Sequence, residues 1–86
     1  MNLEFSLHWL PNLENEVTAM SRGAFRHLPI RAICTILEYA LRYDPYTSGR
    51  YLHEGLWCIE NGPLKLTYEI DGRNRTVTIV AIRCAL

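Results

Sequence analysis

Apolar and polar residues alternate strictly from Leu3 to Trp9, with Leu3, Phe5, Leu7 and Trp9 on one side and Glu4, Ser6 and His8 on the other. A period of two that includes aromatic residues predicts a half-buried strand over residues 3–9. Pro11 and Asn12 stop it and favour a helix from Leu13, where Glu14 and Glu16 suit the positive end of the helix dipole. This helix is expected to run to Arg22 and to stop at Gly23. Pro29 opens a second helix, because its fixed φ and missing donor are tolerated in a first turn. Ile30, Ile33, Cys34, Leu37 and Leu41 form one stripe of that helix, and Ala32, Ile36, Tyr39 and Tyr43 form another beside it. Arg31, Thr35, Glu38 and Arg42 leave only a narrow polar stripe. A helix so widely apolar needs cover on more than one side. It is expected to pack on a sheet and on the first helix, with a face left for a partner. Asp44-Pro45 ends it, since the residue before proline is pushed out of the α region.

Residues 46–55, rich in Tyr, Ser, Gly and charge, read as a connection. Three strands follow, over residues 56–60, 64–70 and 76–82. Asn61-Gly62 and Asp71-Gly72 separate them, and such pairs supply the positive φ angles of tight hairpins. The middle strand puts Leu64, Leu66, Tyr68 and Ile70 on one face and Lys65, Thr67 and Glu69 on the other. The order β-α-α-β-β-β predicts an α+β fold: an N-terminal strand, a two-helix hairpin and a three-stranded antiparallel meander, forming one sheet with both helices on one face. On the first meander strand Trp57 and Ile59 alternate with Leu56 and Cys58, so both faces are apolar. Trp57 is therefore expected against residues 50–53 or against a partner chain.

Eighty-six residues supply one core and hence a single domain spanning residues 1–86. With 49% hydrophobic residues the chain is far from disordered compositions. Charge interrupts every apolar stretch well short of the roughly 20 residues that span a bilayer, and no secretory leader opens the chain, which predicts a cytoplasmic protein without a membrane segment. Cys34, Cys58 and Cys84 are odd in number and widely spaced, so they read as buried thiols, neither a disulfide framework nor a zinc site. His8, His27 and His53 have no metal-ligand spacing, and neither a metal nor another cofactor is expected. Nine Lys plus Arg balance nine Asp plus Glu, which counts against broad nucleic-acid binding and leaves room for a local patch. No phosphate loop, nucleophile elbow or dinucleotide fingerprint is present.

Several runs, taken in order, carry a resemblance that covers essentially the whole chain. They are the opening strand ending in Trp9 and Pro11, the helix end Leu41-Arg42-Tyr43-Asp44-Pro45, then Gly49, and Gly55-Leu56-Trp57-Cys58-Ile59. The meander adds Gly62-Pro63-Leu64-Lys65-Leu66-Thr67-Tyr68-Glu69-Ile70-Asp71 and Val77-Thr78-Ile79-Val80-Ala81-Ile82-Arg83. In these the chain resembles toxins of the RelE/ParE superfamily of bacterial type II toxin-antitoxin systems. The resemblance implies a growth inhibitor neutralised by a cognate antitoxin. Its activity would be either metal-independent endoribonuclease cleavage of ribosome-bound messenger RNA or poisoning of DNA gyrase. In the nuclease branch, basic and acid/base groups on the sheet's open face activate a ribose 2′-hydroxyl and stabilise the phosphorane. Lys65 falls where that branch usually has an arginine, and Arg83 lies near another of its basic positions. The branch's C-terminal tyrosine or histidine-tyrosine pair has no counterpart before Leu86, an end closer to the ParE-like side, and its strong positive charge is missing. These departures keep open an alternative, a non-catalytic toxin-derived interaction module or a homodimer.

Cleavage of RNA without metal needs a base near the 2′-hydroxyl, cations at the phosphate and an acid at the leaving oxygen. Glu69 is the candidate base, with His8 as another; Lys65 and Arg83 are the candidate phosphate clamp and His53 the candidate acid. Glu4 is a further polar residue of the first strand that can join this face. Polar residues alternating along a strand also serve simply as the solvated side of a sheet. Arg50, Tyr46 and Tyr51 in the connection, together with Tyr43, combine cation and aromatic rings in the manner of single-strand binders, and are candidates for RNA or target binding.

Overall fold

In the computed structural model, residues 4–85 are described, so the predicted strand start at Leu3 lies outside the described residues. Strand β1 (Ser6–Trp9) is followed by helices α1 (Leu13–Arg22), α2 (Ile30–Tyr43) and the single turn α3 (Pro45–Ser48), and then by strands β2 (Arg50–His53), β3 (Leu56–Asn61), β4 (Leu64–Asp71) and β5 (Thr76–Cys84). The five strands form one sheet in the order β1-β5-β4-β3-β2. Strands β2 to β5 pair antiparallel with their neighbours, and β1 runs parallel to β5, with Leu7 beside Val77 and Trp9 beside Ile79.

The expected α+β architecture is present, with two additions. Residues 45–53 do not form a loose connection; they make α3 and an edge strand. The β2–β3 turn is Glu54-Gly55, where both residues have positive φ, 50° and 82°. Such a pair is what a two-residue hairpin needs, but a glutamate is an uncommon occupant of its first position, and a register shift between Tyr51 and His53 breaks the strand's alternation. At the β3–β4 turn Asn61 pairs with Leu64 and the positive φ falls on Gly62. The expectation for Asp71-Gly72 is corrected: Asp71 pairs with Thr76 across a longer loop, and the positive φ falls on Arg75. Asp71 takes over the turn through its side chain, whose carboxylate accepts from the Asn74 amide side chain at 2.8 Å and from the Asn74 backbone N–H at 3.1 Å. These bonds, the side-chain one first, hold the Asp71 carboxyl below its usual range.

Both long helices end as their sequences dictate. The Gly23 N–H donates to the Ala19 carbonyl and the Asp44 N–H to the Ala40 carbonyl, each at 2.8 Å. Leu13 and Val17 of α1 and Ile30, Cys34, Leu37 and Leu41 of α2 are buried against Leu64, Leu66, Tyr68, Val77 and Ile79 of the sheet. Each aliphatic side chain among them contributes on the order of 1.5–3 kcal/mol by leaving water. The second stripe of α2 remains exposed at Ala32, Ile36, Tyr39 and Tyr43.

Tyr68 fixes the position of α3. It is fully buried, and its hydroxyl donates to the Pro45 carbonyl at 2.7 Å. Gly49 passes so close that any Cβ there would collide with the Tyr68 hydroxyl and the Cys58 carbonyl, which makes glycine a packing requirement at this point.

Candidate functional site

Strand register assigns every polar candidate to a face. Leu64, Leu66 and Tyr68 turn toward the helices, so Lys65, Thr67 and Glu69 occupy the open face. Lys65 pairs with Arg83 on β5 and with Glu60 on β3, so three charged residues form a row across the sheet. Directly opposed side chains in such a row have Cβ atoms about 5 Å apart. Lys65, Thr67, Ala81, Ile82 and Arg83 line a cleft of about 200 Å³. Arg50, on the edge strand, extends the row through a 3.3 Å ion pair from its Nη2 to Glu60 Oε1, with both side chains more than half exposed. Among the described residues, neither Lys65 nor Arg83 has an ion pair.

Of the four residues proposed for catalysis, the structure brings only two together. Lys65 and Arg83 are neighbours. Glu69 lies four residues farther along β4, roughly 13 Å away at strand rise, opposite Leu56 and Thr78. His53 pairs with Leu56, which puts it two strands from Glu69, roughly 10 Å by strand spacing. His8 pairs with Thr78 on the other flank of Glu69. Glu4 precedes β1 and is half-buried. The residue that pattern reading passed over is Glu60. Its signal was available, because the Gly62-Pro63 turn closes Asn61 onto Leu64 and so sets Glu60 against Lys65.

The aromatic candidates occupy the opposite side of the sheet from Arg50. Trp57 pairs with Tyr68, which it approaches in a stacked geometry at 6.5 Å, and both face the helices. Tyr46 and Tyr51 meet Trp57 edge-on at 5.7 and 5.3 Å, while about half of each tyrosine remains exposed. Trp57 thus lies against the 50–53 segment, as its strand pattern predicts, with Tyr51 as the cover. Tyr46 also meets Phe5 at 6.1 Å, and the Arg75 guanidinium sits 4.3 Å from the centre of the Phe5 ring. Tyr43 joins a different surface, pairing with Tyr39 at 4.7 Å on α2.

A second cleft, about 220 Å³, lies between α1 and α2 and is lined by Trp9, Glu14, Val17, Arg31, Cys34, Thr35 and Glu38. Its polar groups already have partners: the Trp9 indole N–H donates to Glu38 at 3.0 Å, and Arg31 donates to Glu14 at 3.0 Å and to Thr18 at 2.9 Å. Burial, with Glu38 adding to it, pushes the Cys34 thiol up to about 11. Burial likewise pushes the Tyr68 hydroxyl up to about 12, with smaller additions from Cys58 and Asp44. Both groups are therefore neutral at physiological pH and suited to packing. Among the described residues no three His, Cys, Asp or Glu side chains converge on a point that would hold a metal, and no helix is long and apolar enough to cross a membrane.

No protein-family model and no curated protein sequence matches the chain. Solved structures do. The RelBE2 toxin-antitoxin complex from Mycobacterium tuberculosis superposes with a TM-score of 0.70 at 20% identity, over 98% of this chain and 94% of that one. The isolated RelE toxin of E. coli gives 0.67 at 12% identity, over 95% and 85%. A chromosomal ParDE toxin-antitoxin system from P. aeruginosa gives 0.60 at 17% identity, over 99% and 100%. At these identities the likeness is one of architecture, and it covers nearly all of this chain: the protein has the RelE/ParE toxin fold.

Proposed function

We propose that the protein is the toxin of a type II toxin-antitoxin pair, acting in the cytoplasm on ribosome-bound messenger RNA through the open face of its sheet and neutralised by a cognate antitoxin. One observation carries the RNA-directed part: Lys65 and Arg83 are cross-strand neighbours without an ion pair among the described residues. Like charges directly opposed on a sheet destabilise it, so a fold that keeps such a pair beside a cleft is best explained by an anion that uses both. A phosphodiester fits, since it presents two oxygens to two cations and gains charge when cleaved. The toxin-antitoxin setting draws support from the neighbours, two of which are toxin-antitoxin systems. Induced expression in bacteria tests the proposal. Growth should stop with the parent, continue with Lys65→Ala and Arg83→Ala, and be restored by a co-expressed antitoxin. Unimpaired growth with the parent would count against a toxin.

A second reading, a non-catalytic interaction module or homodimer, is favoured by a different observation, the exposed apolar stripe Ile36, Tyr39 and Tyr43 on α2. Sedimentation of the purified protein separates the two. A stable dimer that dissociates on Tyr39→Glu, together with normal growth on expression, would support this second reading.

A further inference from the structure

We propose that a second copy of this chain docks on the outer face of α2, the two α2 helices packing antiparallel about a two-fold axis; this rests on the exposed stripe of the homodimer reading and not on any activity. At about 100° per residue, Ala32, Ile36, Tyr39 and Tyr43 lie on the side of α2 opposite Cys34, Leu37 and Leu41, which are buried in the core. Ile36, Tyr39 and Tyr43 are 57%, 66% and 53% exposed. Ala32 and Tyr39 stand one heptad apart, as do Ile36 and Tyr43. Two interleaved heptads make the narrow seam along which one helix seats another.

The seam complements itself. With the axis passing between Leu37 and Glu38, Ala32 comes level with the partner's Tyr43 and Ile36 with the partner's Tyr39, so each ring meets a smaller side chain. One register satisfies both pairs, and symmetry repeats them. A parallel pair would set tyrosine on tyrosine at positions 39 and 43 and alanine on alanine at 32, leaving crowding and a gap in one seam. It would also align the two helix dipoles. The flanks agree with the antiparallel register. On one side Ile33 meets the partner's Ala40, and on the other Thr35 meets the partner's Arg42. Arg31 is held off the seam by Glu14 and Thr18 of α1. A foreign helix has no reason to call for such symmetry, whereas a second copy supplies it.

Because α2 lies between its own sheet and the seam, pairing stacks sheet, helices, helices and sheet. The two open faces then point away from each other, and the cleft lined by Lys65 and Arg83 stays uncovered in both copies. The dimer is thus bivalent for whatever that cleft binds. Two helices of 14 residues meet over about 21 Å, which places the contact among the small interfaces, below about 1,200 Å² in total, that associate weakly. Dimer and monomer should therefore exchange with concentration.

Sedimentation over a dilution series tests the pairing on the parent, on Ile36→Lys, on Tyr39→Glu and on an equimolar mixture of the two variants. The parent should pass from dimer to monomer on dilution. Each variant alone should associate at least about 30-fold more weakly, as expected at the centre of an interface, and should melt like the parent because both positions are exposed. The mixture should recover the dimer. Only the antiparallel register sets the introduced ammonium level with the introduced carboxylate while the other Ile36–Tyr39 contact stays native. A mixture no more dimeric than its two components would overturn the proposal. A parent dimer that neither substitution weakens would keep a homodimer but overturn this pairing. A parent that is monomeric throughout would overturn both and leave the α2 face to a foreign partner.

Discussion

The two faces of the sheet carry equally regular strands and put them to opposite use. Toward the helices, Leu64, Leu66, Tyr68, Val77 and Ile79 are closed off from water. On the open face the corresponding positions of the same strands hold Lys65, Thr67, Glu69, Thr78 and Arg83. Each buried position adds to stability, whereas the charged row Glu60, Lys65 and Arg83 sets a like-charge pair beside an opposite-charge one and adds little. The difference separates what holds the fold together from what the fold presents to a ligand, and substitutions on the two faces should fail in different ways.

The largest effect should come from the helix-facing side. Truncating a packed aromatic typically costs about 3–5 kcal/mol, so Trp57→Ala, which removes the ring that Tyr46, Tyr51 and Tyr68 pack against, should melt well below the parent or fail to accumulate in soluble form. A variant that melts like the parent would show that this cluster contributes nothing. Tyr68→Phe should cost about 1–3 kcal/mol by leaving the Pro45 carbonyl without its donor, measurable as a lower midpoint in urea. An unchanged midpoint would mean that water replaces the hydroxyl.

Smaller effects on the helix-facing side follow from pH. Cys34 is raised from an ordinary 9.0 to about 11 and Tyr68 from 10.0 to about 12. An acid whose pKa is raised in the fold binds its proton more tightly there than in the unfolded chain. Its contribution is complete below the unfolded value and is lost as pH rises through the folded one. Melting temperature should therefore decline between pH 9 and pH 12, and Cys34→Ser should remove the part of that decline that begins near pH 9. The smallest stability effect belongs to the open face. Lys65→Ala should leave stability unchanged or raise it by up to about 1 kcal/mol, through loss of the repulsion with Arg83. Marked destabilisation would mean that Lys65 is structural.

The sequence is legible wherever structure depends on near neighbours. Helices α1 and α2 and the three strands of the meander follow from periodicity and from Gly23, Pro45 and Gly62. The β2–β3 hairpin escapes such reading because Glu54 adopts a backbone conformation usually left to Asn, Asp or Gly. The parallel pairing of β1 with β5 joins residues about seventy positions apart, and no local pattern encodes it. Among the candidate residues, alternation was enough to assign Lys65 to the open face. Bringing Arg83 beside it, moving Glu69 and His53 away and bringing Glu60 in required the strand register, which a face assignment alone does not contain.

The salt dependence of RNA binding tests the central claim most directly. Each cation that neutralises a phosphate of a single strand adds roughly 0.7 to the slope of log affinity against log salt. If Lys65 and Arg83 both engage phosphates, the Lys65→Ala/Arg83→Ala double variant should bind a single-stranded RNA oligonucleotide more weakly than the parent, with a slope shallower by about 1.4. Equal affinity and equal slope in parent and double variant would contradict the account.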